Sequence, residues 1–171
     1  MTGGHATTRA GRIVVLPSGE ILDLELGREE LAFGGAAVAA AVRRLHGLAH
    51  PVAPVPTAGP AEDDLVDTGS SGSAHRVATL LHRTLDDLAR VRGRNDRDDA
   101  LVRAEVDAHG RLVGLTVVDA VREMRCHRVE AAIVHAVNTA VLAVNLERAD
   151  IHAALRLGLD TASSEDARRL G

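Results

Sequence analysis

The stretch that decides the fold reads LVRAEVDAHGRLVGLTVV at residues 101–118, and VEAAIVHAVNTAVLAV follows at residues 129–144. Apolar and polar residues alternate on both sides of His109-Gly110, a period typical of strands with one buried face. Because glycine tolerates positive φ, the sequence predicts a hairpin that turns at Gly110. In the later stretch, apolar residues recur every three to four positions, which predicts a helix packed on the hairpin's apolar face.

These residues resemble the YbaB/EbfC family of nucleoid-associated proteins over roughly residues 75–150. The resemblance rests on the turn at 106–110, the strand at 112–117 and the helical run IVHAVNTA at 133–140, where Ala-Val-Asn-x-Ala is the most telling feature. The helix beyond Asn138 is similar to that of divergent actinobacterial relatives associated with type VII secretion. The resemblance implies an α+β fold, a helix followed by antiparallel strands and a second helix, in a dimeric protein that binds duplex DNA.

A second hairpin lies earlier in the chain, where RIVVLPSGEILDLEL at residues 12–26 turns at Gly19 and an amphipathic helix follows from Val38 to Gly47. The two turns coincide at an offset of 91 residues (110 − 19). The expected inner faces then coincide as well, with Leu22, Leu24 and Leu26 falling on Val113, Leu115 and Val117. The helices match after a further shift of four residues. An internal repeat and a chance match of two apolar hairpins both fit this pattern; a repeat would make the chain a single-chain pseudo-dimer.

Four regions follow from these patterns. Residues 1–50 form a strand-hairpin and helix unit, in which the first ten residues show no periodicity and are expected to be a loose lead-in. Residues 51–72, rich in Pro, Gly and acidic residues, form a linker. Residues 73–157 form the YbaB/EbfC-like domain, and residues 158–171 form a tail that frays after Asp160. In the helix that begins near Ser73, an apolar face toward a partner is expected to comprise Val77, Leu81, Leu85 and Leu88. The first strand of this domain is expected around residues 89–94.

Composition narrows the class of protein. The 171 residues contain one Cys, one Phe and no Lys among 20 basic residues, and the net charge is −4. A single cysteine excludes an internal disulfide framework and suits a reducing compartment. No apolar run approaches the ~20 residues of a membrane helix, and no signal-peptide core is evident. We therefore expect a cytoplasmic protein that does not contact membrane, and the resemblance implies that it lies in the nucleoid.

The sequence offers no persuasive enzyme motif, so we expect no catalytic residue, metal or cofactor. His46 and His50 lack a nearby third ligand, which favours surface or packing roles over a zinc site. Asp23 and Glu25 could act as paired carboxylates, but the more ordinary role is to keep an edge hairpin soluble. Cys126 lies among arginines that can favour a thiolate, yet no Cys/His nucleophile motif accompanies it.

The predicted function is nucleoid-associated binding of duplex DNA with little sequence specificity. Arginine suits phosphate because it is planar, permanently charged and bidentate. Two sets of candidates lie in the sequence: Arg90, Arg92, Arg94 and Arg97, and Arg122, Arg125 and Arg128. Nearby acids and a pI near 6.1 weaken this prediction. The alternative is a protein-interaction or adaptor module, with a possible role in secretion, that kept the fold and lost DNA binding.

Overall fold

The computed structural model describes residues 3–50, 71–95 and 100–170, with side chains described for 3–50, 74–95 and 100–164. The expected 51–72 linker therefore lies almost entirely outside the described residues, as does Arg97. The chain divides into two compact units. The first contains Met1–Val52 and Val91–Glu147, and the second contains Ala53–Arg90 and Arg148–Gly171.

The first unit contains two three-stranded antiparallel sheets. One is formed by β1 (Gly4–Thr8), β2 (Gly11–Val15) and β3 (Ile21–Leu26), in that order. The other is formed by β4 (Arg92–Arg94), β5 (Val102–Asp107) and β6 (Leu112–Val117), also in chain order. The hairpins turn at Gly19 and Gly110, both at positive φ, as the sequence predicts. The expected α+β class is confirmed.

The two hairpins pair their strands in the same register. Gly11 pairs with Leu26 in the first and Val102 with Val117 in the second, positions that differ by 91 residues in each strand. Each ladder carries a bulge. Val14 and Val15 pair with Asp23 and Ile21, which leaves Leu22 of β3 as the extra residue. Glu105 and Val106 pair with Gly114 and Leu112, which leaves Val113 of β6 as the extra residue. These irregularities are likewise 91 residues apart.

This irregularity overturns part of the expected inner face. A β-bulge adds a residue on one strand and changes which side chains face inward. Leu22 is 61% exposed and Val113 is 38% exposed, whereas the sequence placed both inside. Ile21 and Leu112, each one position earlier, are buried instead. The inward orientation predicted from alternation is confirmed for the other four residues, which are buried: Leu24, Leu26, Leu115 and Val117.

The first residues of the chain were expected to lack structure, and that expectation is wrong. Gly4–Thr8 forms β1, pairing with all five residues of β2. Only Ala6 in this strand is buried, so the segment has too little alternation to signal a strand. A Cβ placed on Gly4 would overlap the carbonyl oxygen of Ala49, which shows how closely β1 approaches a helix.

Four α-helices and one 3₁₀ helix complete the described chain. They are α1 (Arg28–Phe33), α2 (Gly35–Ala49), α3 (Ser71–Arg90), the 3₁₀ helix (Asp119–Glu123) and α4 (Cys126–Leu170). Helix α2 buries Val38, Val42 and Leu45, and α4 buries Ile133, Val137 and Val141, which confirms both predicted amphipathic helices. Helix α4 continues to Leu170, past Asp160 where the sequence suggested fraying.

Each long helix of the first unit packs tightly on the first strand of a sheet through a glycine. Gly4 in β1 lies against the carbonyl of Ala49 in α2, and Gly93 in β4 lies against the carbonyl of Ala140 in α4. Ala49 and Ala140 are 91 residues apart, as the hairpins are. The four-residue shift that the sequence suggested for the helices is therefore not needed for these contacts.

Helix α4 also lies along the free edge of β3. The Asn138 side chain accepts a hydrogen bond from the Ile21 amide at 2.8 Å and donates one to the Ile21 carbonyl at 3.0 Å. Farther along the edge, Glu130 accepts a hydrogen bond from the Leu26 amide at 2.8 Å. At the other sheet, α2 approaches the edge strand β6, where Gly35 lies against the carbonyl of Val117. Polar side chains of α4 thus bind main-chain groups that an edge strand would otherwise expose.

The second unit pairs α3 with the last part of α4. Leu80 of α3 contacts Gly158, where an added Cβ would lie 2.7 Å from a Leu80 methyl carbon. Among the side chains described on this helix, those of residues 74–90, Thr84 is buried, while Leu81 and Leu85 are 42% and 64% exposed. Within the chain, Leu81 and Leu85 are thus not covered, whereas Leu80 contacts Gly158. The expected apolar face toward a partner stays a prediction.

By length and composition, one described helix could span a membrane. The Cys126–Ser164 segment of α4 has a window of mean hydropathy 1.5, of which 39% is buried. No such segment was expected from the sequence, since isolated polar residues such as Glu130 and Asn138 interrupt the apolar runs of this helix. In the first unit, Ile133, Val137 and Val141 of this helix belong to the buried core.

Candidate anion-binding cleft

A cleft of about 610 Å³ lies in the first unit, between α2 and the start of β6. One wall is a single face of α2, because its lining residues are spaced three and four apart. The other wall is the end of the β5–β6 turn. The lining residues are Ala40, Arg43, Arg44, Gly47, His50, Arg111 and Leu112.

The cleft is positively charged. Arg43, Arg44 and Arg111 are exposed, and no Asp or Glu lines the cleft with them. Within the described part of the chain, none of these three guanidinium groups forms a salt bridge. Three uncompensated cations in one concave surface favour binding of an anion.

The turn that carries Arg111 is held by its own hydrogen bonds. The Asp107 carboxylate accepts hydrogen bonds from the amides of His109 at 2.9 Å and Arg111 at 3.0 Å. The His50 ring, at the end of α2, contacts the His109 carbonyl at 3.0 Å, so its Nε2–H donates to that oxygen. These contacts fix the distance between the two walls of the cleft.

His46 supports the cleft from inside the core. It is fully buried, and its Nε2–H donates to the Gly19 carbonyl at 3.0 Å. The rings of His46 and His50 pack in a T-shaped arrangement, with their centroids 5.6 Å apart. Burial lowers the pKa of His46, with a smaller lowering from His50, although the Gly19 hydrogen bond acts in the opposite direction. His46 therefore has a packing role. The sequence favoured a surface or a packing role for this histidine over a zinc site.

The first set of sequence-predicted arginines is partly neutralised. Arg94 forms a salt bridge with Glu105 at 3.1 Å, and Arg92 lies opposite Asp107 in the β4–β5 ladder. Arg90 ends α3 and belongs to the second unit. Arg97 lies outside the described residues. Each of the two described strand arginines thus faces a carboxylate, an arrangement that reduces the charge available to an anion.

The second set lies around the start of α4. Arg122 donates a hydrogen bond to the Phe33 carbonyl at 3.2 Å and lies against Gly34, so it connects the 3₁₀ helix to the end of α1. Arg125 and Arg128 are exposed. None of the three lines the cleft formed by Arg43, Arg44 and Arg111.

The other chemical candidates have structural partners. Arg12 contacts Asp23 at 2.7 Å and pairs with Glu25 across the strands, and these carboxylates raise the pKa of Arg12. Burial, followed by a hydrogen bond to Glu130, raises the pKa of Cys126 to about 11, so its surroundings do not favour a thiolate. Among the described residues, no group of three or more His, Cys, Asp or Glu could hold a metal ion.

Sequence reasoning missed the cleft because its cations are far apart in the chain. Arg43-Arg44 and Arg111 come together only through the packing of α2 on β6. One signal was available: α2 carries two adjacent arginines and no acid between Gly35 and Ala49. Comparison with protein-family models, with curated proteins and with solved structures finds no match for this chain.

Proposed function

We propose that this protein is a non-enzymatic, nucleoid-associated protein that binds the phosphate backbone of duplex DNA. In this proposal the first unit is a YbaB/EbfC-like core duplicated within one chain, so that a single protomer does what two protomers do in that family. We also propose that the protein is cytoplasmic and lies in the nucleoid.

Matching contacts support the duplication. The strand registers, the bulges and the glycine–helix contacts all recur at the same spacing of 91 residues, except that Gly4 and Gly93 are 89 apart (93 − 4). Each helix also contacts the edge strand of the other sheet. Helix α2, which follows the first sheet in the chain, contacts β6, and α4, which follows the second sheet, contacts β3. A chance match of two apolar hairpins would not be expected to reproduce tertiary contacts as well.

The observation that carries the binding proposal is the unpaired positive charge of the cleft. Phosphate binding requires cations that are not already neutralised by protein carboxylates. Arg43, Arg44 and Arg111 meet this requirement, whereas Arg94 does not because it is paired with Glu105. We therefore place the main phosphate contact at the cleft, with Arg125 and Arg128 as secondary, exposed candidates.

Fluorescence anisotropy of a labelled random duplex, titrated with protein at several salt concentrations, tests this proposal. Binding should weaken steeply with salt, and Arg43→Gln/Arg44→Gln should reduce the slope of log K against log salt by about 2, roughly one per phosphate contact. The matched control is Arg9→Gln/Arg12→Gln, which removes the same charge from residues paired with Glu29 and Asp23. Absence of binding at micromolar protein and low salt would refute the proposal.

A second candidate function, an adaptor that binds another protein, is supported by the second unit. Leu81 and Leu85 are four residues apart on α3, hence on one helical face, and both are substantially exposed. An apolar helical face of this kind is a common means of docking to a partner groove. Failure of the DNA titration would leave this function as the better supported one.

A further inference from the structure

We infer that the cleft is a preformed phosphate site, which exists because Gly47 stands where an asparagine would close it. The inference rests on the proposed function in one respect, that Arg43, Arg44 and Arg111 bind an anion. It deepens that function by explaining why the cleft is open at Gly47, and by letting either a small phosphorylated molecule or a DNA backbone supply the phosphate group.

The two helix–strand contacts of the first unit differ at the position that Asn138 occupies on α4. On α4, the Asn138 amide bridges the main-chain N–H and C=O of Ile21 at the free edge of β3. At the spacing of 91, Ile21 corresponds to Leu112 and Asn138 corresponds to Gly47 (138 − 91). Both Gly47 and Leu112 line the cleft. The cleft between α2 and β6 therefore occupies the position that corresponds to the Asn138 side chain between α4 and β3.

The geometry at Gly47 leaves this position open. A Cβ built on Gly47 would have nothing within 4 Å. Ile21 pairs with Val15, and Leu112 pairs with Val106, in the same register after the same bulge. The register that turns the Ile21 amide toward Asn138 therefore turns the Leu112 amide toward Gly47. A ligand in the cleft can bind both this main-chain donor and the arginine side chains.

The charge and size of the cleft select the ligand. Three guanidinium groups, each able to make two parallel hydrogen bonds to oxyanions, suit a phosphate that carries more than one negative charge. A volume of about 610 Å³ lies within the range of small-molecule sites. The apolar wall of Ala40 and Leu112 is too small to bury a large hydrophobic ligand, so the phosphate supplies most of the recognition.

The test uses inorganic pyrophosphate, titrated calorimetrically into the full chain and into two variants. Gly47→Asn should place an amide in the cleft and weaken pyrophosphate binding at least about tenfold, the loss expected from one or more charge-assisted hydrogen bonds. The matched control, Leu48→Asn, puts the same side chain at the next position of α2, where Leu48 is exposed and outside the cleft. Its affinity should stay within about twofold of the parent, well below the change expected for a lost hydrogen bond.

Two results would overturn the inference: no binding of pyrophosphate up to millimolar concentration by the parent protein, or equal binding by Gly47→Asn and the parent. Competition between pyrophosphate and labelled duplex DNA then identifies the source of the phosphate. Displacement of DNA would assign the cleft to backbone phosphates, and tight pyrophosphate binding without displacement would assign it to a small phosphorylated ligand. A parent protein that binds pyrophosphate but no DNA would refute the proposed function and leave this inference standing.

Discussion

Gly19 and Gly110 lie back to back at the turns of the two hairpins, although 91 residues separate them in the chain. A Cβ on Gly19 would overlap the Gly110 carbonyl oxygen and lie 2.8 Å from its Cα, and a Cβ on Gly110 would overlap the Ser18 carbonyl oxygen. Both residues have positive φ, at 93° and 76°. The two turns can approach so closely only because neither carries a side chain.

Alanine at either turn should therefore destabilise the first unit. We expect Gly19→Ala and Gly110→Ala each to lower the free energy of unfolding by about 2 kcal/mol or more, from the positive φ and from the backbone overlap together. Urea denaturation followed by circular dichroism measures this. Gly47→Ala is the control: it adds a methyl group in open space on a helix and should stabilise the protein by about 0.5–1 kcal/mol. Equal effects at Gly19 and Gly47 would contradict the back-to-back packing.

The Asn138 side chain should be a stabilising contact between α4 and β3. Its removal in Asn138→Ala leaves the Ile21 amide and carbonyl without their partner, at an expected cost of about 1–3 kcal/mol despite the better helix propensity of alanine. Asn145→Ala, at an exposed position of the same helix, should have little effect. Indistinguishable urea midpoints for the two variants would mean that Asn138 does not stabilise this edge.

His46 should make the fold sensitive to mild acid. Burial lowers its pKa in the folded chain, so above about pH 6.5 the imidazole is neutral in both states and contributes no pH dependence. Below that value the unfolded chain binds the proton more readily, and the free energy of unfolding falls until the lowered folded pKa is reached. The slope from this group cannot exceed about 1.4 kcal/mol per pH unit.

The variant His46→Gln isolates this effect, since glutamine can still donate to the Gly19 carbonyl but does not titrate. Urea denaturation at pH 7.5 and 5.5 should show a larger loss of stability in the parent than in the variant. All other histidines are common to both proteins, so their contributions cancel except for the interaction of His50 with His46, whose ring centroids are 5.6 Å apart. An equal loss in both would show that His46 does not cause the acid sensitivity.

Cys126 should react slowly with thiol reagents in the folded protein. With its pKa raised from 9.0 to about 11, the thiolate population near pH 8 falls by about two orders of magnitude. The rate of reaction with a chromogenic disulfide at pH 8 should therefore rise on the order of 100-fold in urea. Similar rates in folded and unfolded protein would contradict the contacts of Cys126 with Glu130 and Leu26.

Local sequence predicted the two hairpins and their helices well, because Gly19 and Gly110 mark the turns and the apolar spacing of α2 and α4 is regular. It misplaced Leu22 and Val113, since a bulge changes the inward-facing residues without any signal in the alternation. It missed β1, whose Gly4–Thr8 segment is stabilised by pairing and close packing instead of its own apolar residues.

The candidate cleft could not be predicted from local pattern. Its charge depends on which arginines lack a carboxylate neighbour, and that is decided by strand pairing, as for Arg94 with Glu105. Its open space depends on the correspondence of Gly47 with Asn138, which the four-residue helix shift suggested by the sequence concealed. Both are properties of tertiary contacts between segments many residues apart.

We propose that one chain contains both halves of a unit that YbaB/EbfC proteins, which this chain resembles, assemble from two chains. Sedimentation equilibrium of the full chain, over micromolar concentrations at moderate salt, tests it most directly. We expect a single species with the monomer mass of 17.9 kDa. Two results together would contradict this proposal: the full chain is an obligate homodimer, and the isolated segment 73–171 folds and sediments as the full chain does. Residues 1–50 would then not be needed to complete the fold.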